Sequence, residues 1–268
     1  MAKTKSNDKQ ENPQSAEDSG QGTKPTMPLF YKNPMPLDAK KHKDLALIKN
    51  FSLEFAKPVN AVPINLVEMP QAAHFYPITF TPDESATPVA ILGMRDKENL
   101  FMTDDNLWLQ NTYVPAYIRR YPFIFSEMPD SEQLTLCFDN TTGLIEEGGE
   151  QRFFTEDGKP AKLAEDALNF CKSYHAAAQQ TIPFSQALIE HDLLMEREAQ
   201  INVAGGRKIN YSGFRIIDQK KFNELDDKVI IEFRSKGWLP FFYAHFFSEY
   251  QWNRLTGLLN EKLQKESS

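Results

Sequence analysis

The chain has 268 residues, is 41% hydrophobic and 25% charged, and carries a formal net charge of −7. This balance describes a folded globular protein and excludes collagen-like, mucin-like and wholly disordered chains. No run reaches the ~18 apolar residues of a membrane-spanning helix; the longest apolar cluster, Trp238–Phe247, is interrupted by Pro240 and His245.

In chain order, Ala2–Thr26 is rich in Lys, Ser, Asn, Gln, Glu, Gly and Pro and lacks the apolar centre of a secretory signal. Residues 1–27 are expected to be a disordered tail and residues 28–268 a single domain. Four lysines in the tail balance four acids, so the whole excess of negative charge belongs to the body. An acidic body argues against bulk nucleic-acid binding, which needs clustered Lys and Arg. Arg119–Arg120 and Arg207–Lys208 are pairs, not stripes.

Residues 28–45 are Pro- and Lys-rich and are expected along the surface. Phe51, Leu53 and Phe55 alternate with polar residues and predict a half-buried strand. Ala61–Val67 carries Pro63 and predicts an edge strand. Tyr76–Phe80 and Val89–Met94 predict strands on either side of a turn at Thr81–Thr87. Leu134, Leu136 and Phe138 predict another. Arg152–Thr155 predicts a strand ending in the turn Glu156–Asp157–Gly158.

The texture then becomes helical. Leu163, Ala167, Phe170, Cys171 and Tyr174 recur at helical spacing within Ala161–Gln180. Thr181 is placed to cap a second helix, with Pro183 in its first turn. Met195–Val203 and Lys208–Ile217, joined by Ala204–Gly205–Gly206, predict a hairpin. Asp218 and Asp226 are placed to cap short helices, and Gly237 to end the second. Ser248 with Gln251 matches a capping box for a last helix with the stripe Leu255, Leu258, Leu259 and Leu263. The expected class is α+β: an antiparallel β-rich N-terminal part and a helical C-terminal part containing one late β-hairpin.

Common catalytic signatures are absent. There is no G-x-G-x-x-G, Walker-type loop, H-E-x-x-H, C-x-x-C or G-x-S-x-G. The five histidines are scattered, and no metal-ligand set or cofactor site is expected. Cys137 and Cys171 are expected to be buried as small hydrophobes.

Candidate binding residues come from two stretches. Trp108–Phe125 (WLQNTYVPAYIRRYPFIF) supplies Trp108, Tyr113, Tyr117, Arg119, Arg120 and Tyr121. Aromatics offer contact area, and Arg offers bidentate recognition of carboxylate or phosphate. The plainer reading of the same residues is a short helix, Val114–Arg120, ended by Pro122, with its rings in the core and an arginine stacked on one of them. Glu68–Pro77 (EMPQAAHFYP) supplies Glu68 and His74, or simply one helical turn feeding a strand.

These stretches also carry a resemblance. Glu68–Phe80, Asn99–Phe101 with Trp108, Tyr113–Phe123, Tyr211–Asp218 with Leu225, and Gly237–Ser248 together resemble the bacterial SapC family, over roughly Ile48 to Leu259. YVPAYIRRYPF is the most specific piece. The resemblance implies an association with surface-layer proteins and their export. It also implies gene neighbourhoods with TonB-dependent receptors and with tryptophan-halogenase-like and cupin-like proteins in Gram-negative bacteria. No catalytic residue is carried over from it.

Three functions follow as expectations. The first is a non-catalytic binding or accessory protein of a surface, uptake or peptide-modification system, with a protein or peptide partner. The second is a structural surface-layer component. The third is an enzyme with a dispersed site acting on a peptide or sugar. The expected compartment is the cytoplasm, with signal-peptide-independent export to the cell surface as the alternative.

Overall fold

Short Pro-punctuated runs in the first half give short strands, and Gly- and Pro-poor stretches later give helices. The computed structural model describes residues 27–49, 52–128, 131–140, 143–203 and 207–267. Its elements run β1 (Pro34–Pro36), β2 (Leu45–Leu47), β3 (Ala61–Pro63), α1 (Met69–Ala72), β4 (Ile78–Phe80), β5 (Pro88–Ile91), α2 (Ala116–Arg120), β6 (Phe123–Met128) and β7 (Ser131–Asp139). There follow β8 (Ile145–Glu147), β9 (Gln151–Arg152), α3 (Lys162–Glu190), β10 (Leu194–Val203), β11 (Arg207–Ile217), α4 (Gln219–Asn223), α5 (Asp227–Ser235), α6 (Leu239–Ser248) and α7 (Gln251–Glu266). The class is α+β, with antiparallel sheets early and helices towards the C-terminus.

The described strands form sheets in the orders β1-β7-β6, β8-β2-β9 and β10-β11-β4-β5-β3. The late hairpin therefore completes a sheet begun by the early strands. The join is narrow: among the described residues, Arg215 opposite Phe80 is the one register pair between β11 and β4. Side chains reinforce it. Arg215 donates through Nε and Nη2 to Thr81 O at 2.9 and 2.6 Å, gripping the turn after β4. On α6, His245 Nε2 accepts from Ile217 N of β11 at 3.0 Å, and Ser248 Oγ accepts from Ile78 N of β4 at 3.0 Å. Residues three apart share a helix face, so one turn of α6 fastens both strands.

Two apolar cores result. The first packs the five-stranded sheet, with Ile78, Phe80 and Ile91, against the C-terminal helices. Phe242 is its hub, with ring centroids 4.5 Å from Phe222, 5.1 Å from Phe184 and 5.2 Å from Phe233. Each fully buried Phe contributes about 1.5–3 kcal/mol. The second core packs Tyr31, Tyr121, Phe123, Phe138 and Phe153 against the first half of α3. α3 serves both, giving Ala164, Ala167 and Cys171 to the second core and Phe184, Ala187 and Leu188 to the first.

Several expectations are corrected. Leu53 and Phe55 belong to no strand: a 3-10 turn spans Glu54–Ala56, and Phe55 instead packs on Tyr121; Phe51 lies outside the described residues. Thr181 caps nothing. α3 runs through it, and its hydroxyl donates to Ala177 O while accepting from Leu66 N. Ser248 ends α6 rather than capping α7, because its hydroxyl is engaged by Ile78 N and His245 O. Asp218 does cap α4, accepting from Lys220 N and Lys221 N, whereas Asp226 stands before α5 without a side-chain bond. Arg152 ends β9, although Phe154 makes a further bridge to Pro160. Tyr31, expected on the surface, is 3% exposed, because its ring fills the second core. The tail at residues 1–26 and the hairpin turn Ala204–Gly206 lie outside the described residues.

Candidate functional site

α2 is one short helix set at the seam between the cores. Ile118 points into the first core, and Tyr121 and Phe123, just beyond, enter the second. Its start is held from outside. Glu68, buried in the 3-10 turn before α1, accepts through Oε1 from Ala116 N at 2.7 Å and from Tyr113 Oη at 2.7 Å. Its Oε2 accepts from Asn65 N at 2.8 Å. Glu68 thus satisfies amide donors at two helix starts. Its end is set by Tyr121, which turns extended before a cis bond to Pro122.

The two arginines at that end differ. Arg119 is exposed, and its guanidinium lies between two rings, 5.5 Å from the centroid of Tyr113 and 5.2 Å from that of Phe170. It donates through Nε to Val114 O at 2.9 Å and through Nη2 to Tyr113 Oη at 3.1 Å. Burial pushes the Tyr113 phenol up to about 12, with the Glu68 charge adding to the rise and Arg119 opposing it.

Arg120 turns inward. Its guanidinium carbon lies 4.2 Å from the ring centroid of Tyr174, 4.8 Å from Tyr117 and 5.6 Å from Tyr31. Burial raises the Tyr31 and Tyr174 phenols well above their usual range, against the opposing charge of Arg120, so these rings are neutral walls. Arg120 Nε is buried and finds no hydrogen-bond partner among the described residues. None of the described ion pairs includes either arginine. Burying an ion without a counter-charge costs several kcal/mol, and each ring offsets only about 0.5–2 kcal/mol. The site therefore carries an unmatched positive charge.

Hollows flank these side chains. One, of about 370 Å³, is lined by Arg119, Arg120, Phe123, Leu163, Ala167 and Phe170. Asp166 also borders it, but is paired with Lys162 Nζ at 2.9 Å. A second, of about 260 Å³, is more polar and includes Asn65, Glu68, Gln71, Tyr113 and Tyr174. Arg119 and Phe170 line both, so their stack forms the wall between them.

The candidate residues separate accordingly. Glu68, Tyr113, Arg119 and Arg120 meet around α2. Tyr117 is buried beside them and donates to Leu29 O at 3.2 Å, and Tyr121 lines the larger hollow while its ring packs 4.2 Å from Phe55. Trp108 stands apart, donating through Nε1 to Tyr76 Oη at 3.3 Å and stacking on Phe101. His74 is exposed and lines neither hollow. Sequence reasoning missed Tyr31, Phe170 and Tyr174 as site residues. The last two belong to the apolar stripe of α3, so the signal was present but read only as packing. Among the described residues, no His/Cys/Asp/Glu group could hold a metal ion. Both cysteines are buried free thiols.

A family model described as SapC matches residues 37–255. The chain belongs to the SapC family. The SapC match takes in Glu68, Tyr113, both arginines and Tyr174, and leaves out Tyr31. No curated protein and no solved structure matches the chain. Among the described residues, no helix is long and apolar enough to cross a membrane.

Proposed function

We propose that this SapC-family protein is a non-catalytic binding protein that holds a protein or peptide partner at the cleft between α2 and α3. The supporting observation is the unmatched charge of Arg120, enclosed by tyrosines beside an open apolar hollow. A site built only for stability would pair that charge or replace it with a hydrocarbon. The partner's negative group completes the site. Glu68 does not suggest acid–base chemistry, because both its oxygens are already engaged by donors that hold helix starts.

In this reading the partner belongs to a bacterial surface, uptake or peptide-modification system and is met in the cytoplasm. The first statement extends the family resemblance. The test is affinity capture from the native bacterium with wild-type protein, Arg119→Gln and a folded Arg120→Met, read by mass spectrometry. The expected result is a reproducible partner that is lost with either variant. Equal capture by all three proteins would remove the cleft from the function.

A further inference from the structure

We infer that the larger hollow, between α2, β6 and the first half of α3, is a pocket for a monocarboxylate carried on an apolar body, with Arg119 recognising the carboxylate and Arg120 adding its charge. The inference rests on the binding-protein reading and narrows it to a ligand class.

Size sets the first limit. At about 370 Å³ the hollow is near the small end of ligand pockets. It suits a single side chain or a small acid rather than a docked helix. Its walls set the second. Leu163, Ala167 and Phe170 follow one another at helical spacing, so one stripe of α3 forms an apolar side, and Phe123 and Leu47 extend it. An occupant's body must therefore be apolar to gain from entering.

Charge sets the third. The acid at the rim, Asp166, is paired with Lys162, and Arg119 and Arg120 both line the hollow. The hydrogen bonds of Arg119 use Nε and Nη2, and its Nη1 makes none among the described residues. Arg120 Nε is closed to solvent and so to an occupant, and Arg120 contributes its charge from within the tyrosine enclosure. A carboxylate matches the planar donor fork of a guanidinium and supplies one negative charge. A neutral amide would leave the charge unmatched. A phosphate dianion would bring more acceptors and more charge than these apolar walls can satisfy. The ligand is then either a free apolar acid or the C-terminal residue of a peptide, which share the same chemistry.

The experiment titrates full-length protein with N-acetylphenylalanine, its amide, and N-acetylated peptides ending in Leu-Phe with a free or amidated terminus. Calorimetry gives affinities, and the arginine Nε–H resonances report the site. The free acids are expected to bind and to shift the Arg119 Nε–H resonance, while the amides bind about tenfold more weakly or less. Arg119→Gln, at an exposed position, should weaken the acids by a similar factor. That variant and the amide controls keep the test decisive if an Arg120 variant does not fold.

Tighter binding of the peptide acid identifies a polypeptide end as the source, and tighter binding of the small acid a metabolite; either supports the inference. Equal binding of acids and amides, or no binding of any probe, overturns it. A captured partner that still depends on Arg119 would then leave the binding-protein reading standing. Conversely, acid binding with partner capture indifferent to Arg119 would keep the pocket and remove the partner reading.

Discussion

The Arg120 guanidinium carbon lies 4.2 Å from the ring centroid of Tyr174, and Tyr117 and Tyr31 complete its enclosure. This cation sits among neutral rings, beside a hollow, with a buried Nε–H that has no acceptor among the described residues.

That arrangement predicts a separation of stability from binding. Arg120→Met keeps the apolar bulk and removes the unmatched charge, so stability should hold or rise, by up to about 1–4 kcal/mol. Ligand or partner binding should be lost. Urea denaturation and a binding assay on one preparation check both. A large loss of stability would show that the tyrosine enclosure is a structural device and not a receptor.

Glu68 and Arg119 should differ. Glu68→Ala strands Ala116 N, Asn65 N and the Tyr113 hydroxyl, and is expected to cost about 2–3 kcal/mol, since buried donors without acceptors are expensive. Arg119→Gln removes an exposed stack on two rings and should cost less, about 1 kcal/mol. Denaturation midpoints decide this; equal effects would mean that the cap on α2 is not carried by Glu68.

Ser248 joins α6 to β4 through a bond to a residue 170 positions earlier. Ser248→Ala removes the acceptor of the buried Ile78 N and should cost about 1–3 kcal/mol. Amide hydrogen exchange should speed first at Ile78 if this bond secures the strand. Unchanged protection at Ile78 would refute the role.

His245 gives a pH dependence. It is fully buried, and burial lowers it to about 3 from an ordinary value of 6.5. The folded state holds the neutral ring, whose Nε2 accepts from Ile217 N, while the unfolded state takes up a proton below about 6.5. The unfolded chain binds more protons in that range, so stability from this group is complete above pH ~6.5 and falls as pH drops towards 3. The slope approaches about 1.4 kcal/mol per pH unit. Glu249, whose Oε1 is 3.9 Å from Nε2, is itself raised by burial. Denaturation at pH 7 and pH 5 should show this loss in wild type and a smaller one in His245→Gln. Parallel losses would assign the effect to other groups.

Much of the fold was legible because its signals are local. The stripe Leu255, Leu258, Leu259 and Leu263 announced α7, and all four are buried or pack against the first core. Pro63 announced an edge strand, and β3 is one. The cap at Asp218 was readable because donor and acceptor are two or three residues apart. Ser248 and Thr181 show where local reading fails. Each matches a helix-start signal, but a hydroxyl can serve a distant backbone N–H instead. The competing partners, Ile78 and Leu66, lie more than a hundred positions away.

The candidate site divides along the same line. The order of residues in YVPAYIRRYPF already set a short helix ended by proline, with two arginines in its last turn, because φ restriction and helix spacing are properties of neighbours in the chain. Which arginine faces outward, which is half-buried without a counter-ion among the described residues, and that Glu68 holds the helix start were decided only by tertiary packing. Those outcomes depend on Tyr31, Glu68, Phe170 and Tyr174 converging on α2. Burial and charge compensation are settled by neighbours in space, and a linear sequence does not order residues by that distance.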